Sequence, residues 1–114
     1  MERDVLFQKI KETVLGKKYE LSLAFVGPTE SRKVTLKAKK KNKASNVLSF
    51  PLSPTSGEII ICPAAAGTYT VPYLFIHGLL HLKGHKHSAT MERIEHRLLK
   101  RFGFSIHEQT NRRH

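Results

Sequence analysis

The 114-residue sequence predicts an α+β fold: a small mixed β-sheet packed with helices, with a metal site on a buried central helix and the turn after it. Three observations predict it. Apolar residues recur at helical spacing near both ends of the chain, alternating or short apolar runs lie between them, and two histidines four residues apart sit inside the most apolar helical segment. A chain of this length buries one core, so residues 1–114 are expected to form a single domain.

Each element has a local cause. Leu6, Ile10 and Val14 recur every four residues among Lys and Glu, giving a short amphipathic helix over residues 3–15 that Gly16 stops. Tyr19, Leu21, Leu23 and Phe25 alternate with Glu20, Ser22 and Ala24, the pattern of a strand with one buried face, and Gly27-Pro28 ends it. From Thr29 a second helix can start with Thr29 as its cap; the β-branched pair Val34-Thr35 makes a strand the alternative. The run from Lys37 to Lys43 is too charged to bury. Asn46-Val-Leu-Ser-Phe reads as a short strand ended by Pro51, and residues 54–57 turn into a second strand from Glu58 to Cys62.

After a loop over residues 63–70, Pro72 suits the first turn of a helix from about 71 to 83, where Leu74, Phe75, Leu79, Leu80 and Leu82 surround His77 and His81. Ser88 caps a last helix to about Arg101, with Met91, Ile94, Leu98 and Phe102 as its buried stripe, and a polar tail follows Glu108. The lone cysteine, Cys62, closes a strand-like run and reads as a small core residue rather than a nucleophile.

The run His77-Gly-Leu-Leu-His-Leu-Lys-Gly-His-Lys-His carries the chemistry. On a helix, His77 and His81 lie one turn apart and point the same way, so two imidazoles can share one ion. Gly84 can end the helix in a left-handed conformation and bring His87 back to the same ion, leaving a fourth position open. His85, beside that turn, is the alternative third ligand. Three imidazoles and an open position suit one zinc ion, with nickel or copper also able to bind, and describe a hydrolytic site. The spacing is that of the His-Glu-x-x-His-x-x-Gly-x-x-His zinc peptidases, but Gly78 stands where their general base would be, which excludes peptidase chemistry. Proton transfer then falls to hydroxide on the metal, to His85 or to the substrate itself. His96, His107 and His114 read as solvated.

Twenty Lys and Arg against nine Asp and Glu give a net charge of +11, a field suited to nucleic acid or an anionic membrane surface. No apolar run approaches the roughly 20 residues that cross a bilayer. The N-terminus carries early acids rather than the apolar core of a signal peptide, and one unpaired cysteine fits a reducing compartment, so a cytoplasmic location is expected. The basic run Lys39, Lys40, Lys41 and Lys43 is the expected RNA-facing patch.

Asn46-Val-Leu-Ser-Phe-Pro after a basic loop, then Gly57-Glu-Ile-Ile-Ile-Cys, then His77-Gly-x-Leu-His-Leu-x-Gly-x-x-His, in that order, resemble the YbeY family of bacterial endoribonucleases and rRNA maturation factors over about residues 19 to 104. The resemblance implies a small mixed sheet with helices around it and a zinc-dependent, single-strand-directed endoribonuclease. It further implies work in rRNA processing, notably at the 16S 3′ end, in ribosome quality control and on small-subunit particles. It assigns His77, His81 and His87 as metal ligands and places Lys39 where the family has an arginine in its basic loop, a point charge replacing a planar two-pronged phosphate contact. The Tyr-Asp that precedes the last histidine in the family is His85-Lys86 here, Glu58 takes the place of the usual acid after Gly57, and the chain is shorter between Cys62 and His77 and after His87. These departures leave a second reading: a ribosome-associated binding factor with a structural metal and little nuclease activity.

Overall fold

A computed structural model describes residues 3–108, with helices α1 (Arg3–Leu15), α2 (Pro28–Lys39), α3 (Val71–Lys83) and α4 (Ala89–Phe102) and strands β1 (Glu20–Phe25), β2 (Val47–Ser53) and β3 (Ser56–Ile61). The three strands form one mixed sheet in the order β1-β3-β2, with β1 parallel and β2 antiparallel to the central β3. This is the α+β arrangement that the sequence predicts. Along β3, Gly57, Ile59 and Ile61 are buried and alternate with half-buried residues. A Cβ on Gly57 would collide with Tyr19 Oη and with Leu82 of α3, so this glycine lets the helix and the sheet approach closely.

Helix α3 is the apolar centre of the molecule. Leu74, Phe75, Ile76, Leu79 and Leu80 are buried, and the helix packs against β2, β3, α1 and α4. Thr70 caps it, its hydroxyl accepting from the Tyr73 amide, and Pro72 occupies its first turn as expected. Phe7, Ile10 and Val14 of α1 join the core; Phe7, not Leu6, makes the deep contact, stacking on Phe75 at 4.2 Å between ring centroids. Lys11 is buried as well, and its Nζ donates to the carbonyls of Gly16 and Lys17 where the chain leaves α1. Cys62 is fully buried, a core residue.

Several boundaries differ from the sequence-based expectation. β2 continues through Pro51 to Ser53 because it is an edge strand, where a missing N–H is tolerated; the register slips between Pro51 and Ser53. β1 starts at Glu20, and Phe25 is 46% exposed with the Arg3 guanidinium over its ring, so the alternating face is not buried to its end. The ambiguous segment after Val26 is helix α2, capped by Gly27 rather than Thr29. It runs into the basic stretch, so Lys37 and Lys39 are helical and Lys40, at φ +60°, ends the helix. His107 is not merely solvated: it stacks on Tyr69 at 4.9 Å, and its Nδ1 lies 3.0 Å from the Thr68 hydroxyl. His114 and the tail beyond Glu108 lie outside the described residues. No helix among the described residues is long and apolar enough to cross a membrane.

Helix α2 contributes nothing to the apolar core. Hydroxyls hold it instead. Ser31 Oγ donates to the Ser45 carbonyl at 2.7 Å and accepts from the Ser45 amide at 2.8 Å, while Thr35 Oγ1 reaches the Ser31 carbonyl and Ser45 Oγ, both at 2.8 Å. Ser31 and Thr35 are almost completely buried. This network ties the loop after Lys40 back onto the helix.

Candidate metal centre and basic cleft

One turn of α3 separates His77 and His81, and their Nε2 atoms lie 3.1 Å apart. The helix then ends as predicted. Gly84 sits at φ +107°, with its N–H on the His81 and Leu80 carbonyls and the His85 N–H on the Leu80 carbonyl, a Schellman ending. The reversal brings His87 back: its ring centroid is 5.0 Å from that of His77 and 4.7 Å from that of His81. One nitrogen from each of His77, His81 and His87 lies within 4.8 Å of the others.

This donor set fits a metal ion. Two imidazole nitrogens bound to tetrahedral zinc at 2.0–2.1 Å sit about 3.3 Å apart, close to the 3.1 Å between His77 and His81. Both rings are also oriented from behind. His77 Nδ1 meets Glu95 Oε2 at 2.6 Å, and His81 Nδ1 lies 3.0 Å from the His85 carbonyl. With Nδ1 donating in each case, Nε2 keeps its lone pair and faces the shared centre. Burial, followed by the neighbouring His77, pushes the His81 pKa below its ordinary value, which favours the neutral ring that a metal requires.

Glu95 escapes a search for ligand motifs, although its position carries a signal. It lies four residues after Met91 on the buried stripe of α4, an acid where the pattern calls for an apolar residue, and it is 2% exposed. Its contact with His77 is the only one within 4.0 Å between a basic side chain and a carboxylate among the described residues.

His85 takes neither the ligand position nor a place in the cleft. Its N–H is fixed by the helix ending, its carbonyl holds His81, and its ring is absent from the cleft lining. The histidines form one end of a cleft of about 620 Å³ that Lys39, Lys41 and Lys43 also line, with Ser45, Asn46 and Ser49 between. Lys40, turned by its left-handed backbone, is not in the lining. Among the described residues no carboxylate lines the cleft.

Gly78 faces the sheet rather than the cleft. A Cβ there would lie 3.0 Å from Ser49 Oγ and 3.1 Å from Ile59 Cδ1, and the Ser49 hydroxyl donates to the Gly78 carbonyl at 3.1 Å. A glutamate at this position would press its Cβ against Ser49 and Ile59, away from the cleft. Behind His77 its ring neighbour is Tyr73, 5.7 Å away, whose hydroxyl pKa is pushed up to about 12 by burial and by Glu95.

A family model described as endoribonuclease YbeY matches residues 2–103. The chain is similar to the endoribonuclease YbeY of Polynucleobacter asymbioticus, 38% identical over 104 residues that cover 75% of this chain and 67% of that protein. It is also similar to the protein of the same name from Rubrobacter xylanophilus, 39% identical over 80 residues covering 67% and 58% of the two chains. A third, from Nitrosomonas eutropha, is 28% identical over 117 residues covering 87% and 83%. The match thus spans from about three fifths to about four fifths of these relatives' length.

Proposed function

This chain belongs to the endoribonuclease YbeY family, and from that premise we propose that it is a metal-dependent, single-strand-directed endoribonuclease.

 In this reading the metal is zinc, the substrate is single-stranded RNA, and the enzyme works in rRNA processing, including the 16S 3′ end, and in ribosome quality control on small-subunit particles in the cytoplasm. The observation that carries this reading is the junction of the imidazole triad with a lysine-lined, carboxylate-free cleft. A polyanion is the substrate class such a cleft attracts.

His77, His81 and His87 would hold the ion, with Glu95 keeping the His77 ring in the tautomer that presents Nε2. When bound, the metal supplies Lewis acidity at the scissile phosphodiester. Lys39, Lys41 and Lys43 neutralise the backbone charge along the cleft and the added charge of the transition state. The hydroxyl network of Ser31, Thr35 and Ser45 sets where the loop carrying two of these lysines lies relative to the histidines.

The test incubates the zinc-loaded protein, and separately its His81→Ala variant, with single-stranded RNA and with small-subunit assembly particles. Cleavage by the parent alone is expected, and equal cleavage by both overturns the metal assignment. Particle binding without cleavage by either protein would instead support the binding-factor reading, which the replacement of the family arginine by Lys39 favours.

A further inference from the structure

The outer face of α4 carries a row of cations that the cleft does not use, with Glu92 in the first turn as its one acid. Arg93, His96, Arg97, Lys100 and Arg101 are all exposed, while the opposite face of the same helix buries Met91, Glu95, Leu98 and Leu99. Among the described residues none of the five forms an ion pair; Arg93 donates to the Thr90 hydroxyl, and the Arg101 guanidinium lies over the Phe102 ring. The helix dipole accounts for Lys100 and Arg101 in the last turn, but not for Arg93 and Arg97.

This arrangement works against helix stability. Arg93 with Arg97, and Arg97 with Arg101, are like-charge pairs four residues apart, a spacing that destabilises a helix. Solubility does not require it, since mixed signs serve that purpose, as on α1 with Arg3, Asp4, Lys9 and Glu12. A partner carrying regularly spaced negative charge would relieve the repulsion. From Arg93 to Arg101 the row extends about 12 Å at 1.5 Å per residue, long enough to meet several successive phosphates of a nucleic-acid strand.

We propose that the outer face of α4 is a second RNA-binding surface that holds the phosphate backbone of structured RNA flanking the single-stranded segment in the cleft. The proposal deepens the endoribonuclease reading and rests on it for the identity of the polyanion. Because the apolar face of α4 is committed to the core, the helix has no apolar side with which to enter a lipid surface.

The experiment compares the zinc-loaded 114-residue protein with an Arg93→Gln, Arg97→Gln, Lys100→Gln triple variant, using an RNA hairpin with a single-stranded extension and, separately, the single-stranded extension alone. Expected is roughly tenfold weaker hairpin binding at low salt and a salt slope shallower by about 2 to 3, from the loss of three phosphate contacts. Binding and cleavage of the short single strand should be unchanged, and the Arg93→Lys, Arg97→Lys pair should retain hairpin binding because a point charge suffices for phosphate. Equal hairpin affinity and salt slope in the triple variant overturn the proposal while leaving the cleft reading intact. Loss of hairpin binding by the triple variant in a protein that cleaves nothing supports this surface and counts against the nuclease. Binding of anionic phosphatidylserine vesicles but not of the hairpin overturns the choice of RNA.

Discussion

Replacing Glu95 with Gln tests whether the buried carboxylate tunes the histidine centre or merely fills space. Glu95 is 2% exposed, and its Oε2 lies 2.6 Å from His77 Nδ1, a length typical of a charge-assisted hydrogen bond. Gln keeps the shape and an acceptor oxygen but removes the charge. A hydrogen bond to a charged group contributes about 1.5–3 kcal/mol, and a tenfold change in affinity corresponds to about 1.4 kcal/mol. Glu95→Gln is therefore expected to weaken zinc binding by about 10- to 100-fold, the range usual for partners that orient metal-ligating histidines. Competition with a calibrated zinc chelator measures the affinity, and circular dichroism of the metal-free protein checks the fold. A variant that stays folded and binds zinc as tightly as the parent would refute the claim that the Glu95 charge strengthens His77 as a metal ligand.

His87 is exposed, so His87→Ala should change metal-free stability by no more than about 0.5 kcal/mol while removing most of the rise in melting temperature that zinc produces, as thermal melts with and without zinc will show. Ser31→Ala strips partners from both the amide and the carbonyl of Ser45 and should cost about 1–3 kcal/mol in urea unfolding. An unchanged midpoint would remove the hydroxyl network as the anchor of α2. Tyr73, pushed up to about 12, should ionise last in an ultraviolet titration, and Tyr73→Phe should abolish that late phase. The sign follows from linkage: a folded pKa above the unfolded value of about 10 gives stability that is complete below pH 10 and is lost as pH rises through 12. Gly78→Glu should leave little folded protein in a solubility assay and no peptidase activity, because its Cβ already crowds Ser49 and Ile59.

Local patterns carried most of the fold. The period of α3, its Thr70 cap and its Gly84 ending are all written within a few residues of each other, and so was the triad of His77, His81 and His87. What sequence spacing could not carry were contacts between distant segments. Glu95 is eighteen residues from His77, and only the packing of α4 on α3 brings them together. The helix that replaced an uncertain segment after Gly27 is stabilised by Ser45, ten and fourteen residues beyond Thr35 and Ser31, so neither its propensity nor its apolar pattern announced it. Pro51 misled for a related reason: whether a proline ends a strand depends on whether that strand is at an edge, and strand order is a property of the sheet.

The hydroxyl attachment of α2, outside the apolar core, divides the cleft between two regions of unequal cohesion. His77 and His81 stand on α3 among the residues of the apolar core; the lysine rim stands on the end of α2 and the loop after it, and no residue of α2 belongs to that core. Local opening is easiest where buried apolar contacts are fewest. Amides of α2 and of the loop after it therefore exchange by local opening, well before those of α3. One side of the cleft can fit itself to the strand it receives while the other keeps its imidazoles in register.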